Sequence, residues 1–265
     1  MNNVFELAFE CLTANDIAQK VSMTNTATEI IKSGQAEFKP YKIVCENIKP
    51  GRPESPELIN AKDVARRNTC STEGKAAMIH SIAHIEFNAI NLAWDLICRF
   101  QHMPKEFYLD WAQVAEEEAK HFGLLREKLI CMGYDYGSFS AHDGLWTIAE
   151  KTKHDISLRL AVVPRIMEAR GLDVTPDIIE RFKQAKDDEM VSILELILEE
   201  EIGHVMFGTK WYRYVCQESK EDPEEKFKLI MNEYLPSTKT KKINQNARMK
   251  AGFSQTEIDC LTEVQ

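Results

Sequence analysis

Two motifs of the form Glu-x-x-His could carry chemistry in this sequence, Glu118–His121 and Glu201–His204. Residues three apart in an α-helix lie on one face, so each motif would present a carboxylate and an imidazole to the same point. This mixture of oxygen and nitrogen ligands suits iron or manganese better than a thiolate-selecting metal. A single Glu-x-x-His more often marks a solvated helix face, so the case for a metal depends on what accompanies the two motifs.

A further glutamate precedes each motif at nearly equal spacing. Glu86 lies 32 residues before Glu118, and Glu168 lies 33 residues before Glu201. This pseudo-repeat indicates two similar helix pairs, each with one single glutamate and one Glu-x-x-His motif. Two such motifs and two single glutamates make up the ligand set of dimetal carboxylate bundles.

The four glutamates fall where core residues are expected. Apolar residues at helical spacing accompany them: Ile79, Ile82, Ala83, Ala89, Ile90 and Ala93 around Glu86; Val114, Leu125 and Leu129 around Glu118; Ala161 and Val162 before Glu168; Leu194, Ile197, Leu198 and Val205 around Glu201. Burying an ionised carboxylate without a partner costs several kcal/mol, and four together would repel one another. Two divalent ions would balance the charge. The predicted metal ligands are Glu86, Glu118, His121, Glu168, Glu201 and His204.

By analogy with this class of site, Glu118 and Glu201 would be the catalytic residues, as ligands that bridge the two metals. Glu86 and Glu168 would be terminal ligands, and each histidine would complete one ion. We expect two iron ions, with a manganese–iron pair as the alternative, and dioxygen as co-substrate.

Other polar residues near these motifs have open roles. His80 and His84 share a predicted helix with Glu86, but two residues span about 200° of a helix, so His84 should face away from Glu86. A supporting role near the metal and an ordinary core or surface position stay open for both histidines. Asp187 could orient a ligand near Glu201, but capping a helix is its expected role.

Helical periodicity dominates the chain, and four long helices must position the ligands. They are predicted at about residues 72–102, 104–132 and 187–217 and within residues 143–170, where residues 143–151 should form part of the connection from the second helix. Gly171 should end the third helix, and Pro164 should kink it one turn before Glu168. Further helices are predicted at 4–20, after Pro56, from Thr175 and from Pro223, and residues 41–45 give the one strand-like alternation.

The predicted fold is an all-α, ferritin-like four-helix bundle with extra helices at both ends. Its predicted divisions are an N-terminal helical and wrapping extension (1–70), the bundle (71–218) and a C-terminal helical tail packed on it (219–265).

Bulk composition excludes several classes of protein. The net charge of −9 argues against a nucleic-acid surface, since phosphate binding favours clustered lysine and arginine. The seven cysteines include no Cys-x-x-Cys pair, which favours a reducing compartment over a disulfide framework. We find no signal peptide and no apolar run of about 18 residues, so we expect a cytoplasmic protein without a membrane span.

Several long stretches resemble the ferritin-like family known as DUF455. They are HSIAHIEFNAINLAWDLICRF (80–100), PKEFYLDWAQVAEEEAKHFGLL (104–125), YGSFSAHDGLW (136–146), VPRIMEARGLDVTP (163–176), EEIGHVMFGTKWY (200–212) and ARMKAGF (247–253), with PGRP (50–53) upstream. The resemblance covers roughly residues 50–253 and implies a dimetal bundle with the same six ligands. Residues 73–75 and 241–243 depart from the expected pattern, and neither stretch contains a ligand.

Three classes of function follow from this site. The favoured one is a non-haem di-iron oxidase or oxygenase that uses an electron donor and an unidentified small-molecule substrate. The alternatives are an iron-handling ferroxidase or storage protein, and a non-catalytic, metal-stabilised scaffold. RNA modification is a further enzymatic possibility, which the acidic composition disfavours, and a homodimer is possible.

Overall fold

The computed structural model describes residues 2–42, 48–64, 71–234 and 242–262, and helices dominate them. The helices are α1 (Val4–Thr13), α2 (Ile17–Lys32), α3 (Thr72–Arg99), α4 (Lys105–Cys131), α5 (Gly144–Lys151), α6 (Ile156–Val162), a π-helix (Val163–Glu168), α7 (Arg170–Gln184), α8 (Asp188–Glu218), α9 (Pro223–Tyr234), α10 (Gln245–Lys250) and α11 (Gln255–Thr262). Two short strands, β1 (Asn2–Asn3) and β2 (Ala36–Glu37), pair in parallel. The prediction of an all-α fold is confirmed, while residues 43–45 of the strand-like stretch lie outside the described residues.

The chain divides into two compact units, residues 1–147 and 148–265. The predicted divisions at residues 70 and 218 stay a prediction. None of the described helices is both long enough and apolar enough to cross a bilayer.

The first unit is built around α3 and α4, which pack along each other. Ser71 caps α3 by accepting a hydrogen bond from the Gly74 backbone N–H (3.0 Å), and Pro104 directly precedes the first turn of α4. Gly133 follows the end of α4 with a left-handed φ of +84°, which suits glycine. The first two long helices therefore begin and end within three residues of their predicted limits.

The single helix predicted at residues 4–20 is wrong, because the chain forms α1 and α2 instead. Asp16 starts α2 as its N-cap, by accepting a backbone hydrogen bond from the first turn. The Lys20 ammonium then reaches back to the carbonyl oxygens of Cys11 (2.7 Å) and Leu12 (3.0 Å) at the end of α1. These contacts satisfy helix-terminal carbonyls that a continuous helix would have used internally.

The short helix predicted after Pro56 is also wrong. Residues 50–60, here called the wrapping segment, run without helical structure. The Gly51 N–H donates to a carbonyl of α1 (2.8 Å), and the Ala141 N–H donates to the Glu57 carbonyl (2.9 Å). Backbone hydrogen bonds to distant residues therefore replace those of the predicted helix.

The second unit packs α6, the π-helix and α7 against α8. The fourth predicted helix, at 187–217, is observed as α8, one residue later at each end. Asp187 is its N-cap and accepts a hydrogen bond from the Met190 N–H (3.3 Å). The expected capping role of Asp187 is thereby confirmed.

Gly171 and Pro176, which were expected at helix ends, lie inside α7. Gly171 does not end a helix, and Pro176 lies within α7, so no new helix starts at Thr175. A proline lacks the N–H that would bind the carbonyl four residues earlier, which here belongs to Leu172. The side-chain amide of Asn244 donates to that carbonyl instead (3.2 Å). A distant residue thus satisfies the group that Pro176 leaves open, and the helix continues.

We expect Asn244→Ala to lower the free energy of unfolding by about 1–3 kcal/mol. Part of this loss arises because Asn244 also caps α10. In a Pro176→Ala chain, Leu172 regains a helical N–H partner, so the same substitution should cost about 1 kcal/mol less. Urea unfolding of the four chains measures this coupling. Equal costs in both backgrounds would contradict the rescue of the Leu172 carbonyl.

Candidate metal centre

The first carboxylate–histidine set consists of Glu86 on α3 and of Glu118 and His121 on α4. The three residues are 4%, 1% and 0% exposed, respectively. The His121 Nδ1 atom lies 3.4 Å from Glu86 Oε2 and 3.5 Å from Glu118 Oε2. The packing of α3 on α4 therefore brings together the three ligands predicted for the first helix pair.

The electrostatics of this set favour a positive charge between its members. Burial raises the pKa of Glu86, and the negative charge of Glu118 raises it further. Burial alone would lower the pKa of His121, but the adjacent carboxylates of Glu118 and Glu86 outweigh burial and raise the pKa. The carboxylates thus need a cation at this position, which a metal ion can supply in place of a proton.

The geometry of the set fits a metal ion. Two ligands about 2.1 Å from one ion lie roughly 3.4 Å apart at a tetrahedral angle. One donor atom from each of Glu86, Glu118 and His121 lies within 4.8 Å of the others. Within the described part of the chain, Glu86 Oε2 is buried and forms no hydrogen bond of acceptable geometry. A buried oxygen of this kind is suited to ligating an ion.

The second carboxylate–histidine set consists of Glu168, Glu201 and His204 in the second unit. His204 is fully buried, and its Nδ1 atom lies 3.5 Å from Glu201 Oε1 on the same helix, α8. Glu168 is half-buried at the end of the π-helix. Neither Glu168 nor His204 is among the described residues whose donor atoms gather within 4.8 Å of one another. The pairing within the Glu-x-x-His motif is observed, and ligation by Glu168, like that by the other five residues, stays a prediction.

The distortion expected at Pro164 takes the form of the π-helix, which ends at Glu168. The Ala169 N–H donates to the Pro164 carbonyl five residues earlier (3.1 Å). Pro164 also lies close to α8, because a Cβ atom added at Gly208 would lie only 2.8 Å from the Pro164 Cβ. Gly208 follows His204 by one turn and permits this approach. Single-turn π-helices occur frequently at functional sites, and this one sets the position of Glu168.

Two buried ion pairs behind the π-helix were not predicted from the sequence. Arg165 pairs with Glu257 at 2.6 Å, and Arg248 pairs with Asp173 at 2.6 Å. Three aromatic rings surround the Arg165 guanidinium, each with its centroid 4.6 Å away: Tyr212, Phe227 and Phe253. An acid such as Glu257 beside apolar residues is the sequence signal that could have indicated these pairs.

His80 and His84 contact the chain that follows α4. The Gly137 N–H donates to His80 Nε2 (2.9 Å), and His84 Nδ1 lies 2.8 Å from the Tyr136 hydroxyl oxygen. Burial lowers the pKa of each histidine to about 4, so both are neutral at pH 7. These contacts support the core-residue alternative for both.

Comparison with known proteins identifies relatives without an assigned activity. A family model described as "Protein of unknown function (DUF455)" matches residues 13–259, which include all six predicted ligands. A relative from Haemophilus influenzae, named "Uncharacterized protein", is 46% identical over 220 residues, covering 80% of this chain and 76% of the relative. No solved structure matches the chain significantly.

Proposed function

The chain belongs to the DUF455 family, and we propose that it is a ferritin-like dimetal carboxylate protein that activates dioxygen to oxidise a small organic substrate. The observation that carries this proposal is the enclosed set of Glu86, Glu118 and His121. Two buried carboxylates within 3.5 Å of one imidazole nitrogen are stabilised by a cation, and a metal ion can supply it in place of a proton on His121. The second carboxylate–histidine set repeats the same residue types in the same order along the chain.

The ferritin-like bundle is itself part of the proposal. Its four helices would be α3, α4, α6 continued by the π-helix, and α8. The first pair carries the first carboxylate–histidine set, and the second pair carries the second. This assignment follows the ligand pattern of di-iron and di-manganese carboxylate bundles, in which each motif lies on its own helix.

The six predicted ligands would together bind two iron ions, or a manganese–iron pair. Glu118 and Glu201 would bridge the ions, Glu86 and Glu168 would be terminal ligands, and one histidine would complete each ion. When bound, the metals would supply the redox chemistry that reduces dioxygen and oxidises the substrate, with electrons from an external donor.

The protein's own contribution is charge balance and a dry environment. The carboxylates of Glu86 and Glu118 offset the charge of the cations. Ala83 and Ile90 flank Glu86 on α3 and are fully buried, as is Ala115 before Glu118 on α4. Excluding water strengthens the electrostatic interactions within the site and protects reactive oxygen species from side reactions.

Anaerobic loading with ferrous ion tests the proposal. Metal counting after removal of excess iron is expected to give two ions per chain, and mixing with dioxygen in a stopped-flow spectrometer should produce a transient visible absorption. One ion or none, without reaction with dioxygen, would contradict the proposal. Rapid turnover with continued iron uptake would instead indicate a ferroxidase or storage protein.

A further inference from the structure

A cavity of about 310 Å³ lies in the first unit beneath the wrapping segment. The wrapping segment contributes Arg52, Glu57 and Leu58 to its wall, and the other side is formed by His84 of α3 and by Tyr136. None of the residues that line the cavity is a predicted metal ligand. The cavity is therefore a separate feature, and its chemistry does not depend on the candidate metal centre.

The wrapping segment is held in place before any ligand arrives. A Cβ atom at Gly51 would lie 2.2 Å from the carbonyl oxygens of Thr13 and Ala14, so only glycine permits this close approach to the end of α1. The next backbone N–H, that of Arg52, donates to Asn15 Oδ1 (3.2 Å). A pre-formed wall of this kind lowers the entropy lost on binding.

The polar groups at the floor of the cavity are fixed by one another. His84 Nε2 lies 3.1 Å from both the His142 carbonyl oxygen and Asn88 Nδ2. His84 Nδ1 lies 2.8 Å from the Tyr136 hydroxyl oxygen. Asn88 Nδ2 donates to the His84 carbonyl (2.7 Å), which leaves Asn88 Oδ1 as an acceptor. The orientation of each group follows from its neighbours.

Among the described residues of the cavity wall, Arg52 is the one cationic side chain. Its Nη2 group donates to Asn88 Oδ1 (3.0 Å) and to Asp143 Oδ1 (2.5 Å). Its Nε atom is buried and has no hydrogen-bond partner among the described residues. A buried N–H that lacks an acceptor is unfavourable, and a small displacement of the Arg52 side chain would let a carboxylate oxygen from a bound molecule satisfy it.

The charges of the wall favour a ligand that carries a positive group as well as a carboxylate. Asp143 already balances the charge of Arg52, and two exposed glutamates, Glu54 and Glu57, add negative charge. A ligand with a carboxylate alone would be repelled by them, whereas an ammonium group on the same ligand would be attracted. The remaining wall is apolar, from Leu58 and the ring of Tyr136, and suits a hydrocarbon side chain.

We propose that this cavity binds an apolar α-amino acid. Its carboxylate would lie against Arg52, its ammonium group towards Glu54 and Glu57, and its side chain against Leu58 and Tyr136. The ligand class is thus defined by one donor without an acceptor, an excess of negative charge and an apolar surface of limited volume.

NMR titration of the full-length chain with L-phenylalanine tests the inference. The arginine Nε–H signal that is absent from Arg52→Lys belongs to Arg52, and it should shift with saturation. The Nε–H of Arg126 should not shift, because it already donates to Asp135 (2.7 Å). Absence of a saturable shift of the Arg52 signal up to the solubility limit would overturn the proposal.

Two matched probes need no variant. Phenethylamine lacks the carboxylate and should bind at least about tenfold more weakly than phenylalanine. The acid 3-phenylpropionate lacks the ammonium group and should bind about threefold more weakly, since exposed charge pairs contribute little. Equal binding of either probe would overturn the zwitterion assignment.

Variants locate the site. Arg52→Lys and Leu58→Trp, the second of which fills the cavity without removing Arg52, should each weaken phenylalanine binding at least about tenfold. Arg126→Lys is the matched control and should bind normally. Unchanged binding in folded Leu58→Trp would place the ligand elsewhere and overturn the proposal, even if Arg52→Lys failed to fold.

Discussion

Glu118→Ala is expected to lose metal, so that anaerobically loaded protein retains at most one iron ion per chain instead of two. Glu118 is 1% exposed, lies 3.5 Å from His121, and is proposed to bridge both ions. Substituting a residue that merely supports a ligand weakens metal affinity by about 10–100-fold, and removing the ligand itself should weaken it more. Glu201→Ala should have the same effect through the second set. Metal analysis after desalting measures both.

The matched control is Glu117→Ala, the adjacent residue on α4. Glu117 is half-buried and accepts a hydrogen bond from Gln113 (2.9 Å), and it is not a predicted ligand. This variant should keep two ions per chain. Folding is checked on metal-free protein, where removing the buried Glu118 carboxylate should not lower the melting temperature, since Glu86 still balances the charge of His121 and one carboxylate fewer is buried. A folded Glu118→Ala chain that kept two tightly bound ions would show the ligand assignment to be wrong.

The long helices α3, α4 and α8 were predictable because their signals are local. Ser71, Pro104 and Asp187 mark helix starts, and an apolar stripe continues for several turns after each. The residues of the candidate metal centre could likewise be identified from the sequence, because an acid inside an apolar stripe conflicts with its surroundings. The gathering of Glu86, Glu118 and His121 then followed from pairing two helices of nearly equal length.

The errors arose where a distant contact overrides a local signal. Pro176 does not begin a helix, because Asn244, 72 residues from Leu172 in sequence, satisfies the carbonyl that the proline leaves open. The break between α1 and α2 is likewise stabilised by Lys20, a residue placed inside the predicted helix. No local pattern encodes such partners.

The position of Glu168 could not be derived for the same reason. Pro164 predicts a distortion, but the register of the π-helix depends on its packing against α8, where Gly208 permits close approach. A π-helical turn closes its hydrogen bond one residue later than an α-helical turn, so the side chains that follow it are rotated about the helix axis. The sequence therefore identified Glu168 as a candidate ligand, whereas the direction of its side chain depends on tertiary packing.

Glu257→Leu is expected to lower the free energy of unfolding by about 3–5 kcal/mol, because it leaves the buried Arg165 guanidinium without a counter-ion. Arg165 is 0% exposed and lies in the π-helix. Burial lowers its pKa, but an arginine stays charged at neutral pH. Urea unfolding at pH 7 gives the change. The control is Asp259→Ala on the same helix, whose exposed hydrogen bond to Gln255 should contribute less than about 0.5 kcal/mol.

The double variant Arg165→Met/Glu257→Leu separates the ion pair from the space it occupies. Removing both charges should recover most of the lost stability, since a methionine can pack among the three rings that surround Arg165. A double variant as unstable as Glu257→Leu alone would show that shape and the cation–π contacts, rather than charge balance, stabilise this region. An unchanged free energy of unfolding for Glu257→Leu would show that the cation–π contacts with the three rings, each about 2 kcal/mol when desolvated, are enough to stabilise the buried guanidinium.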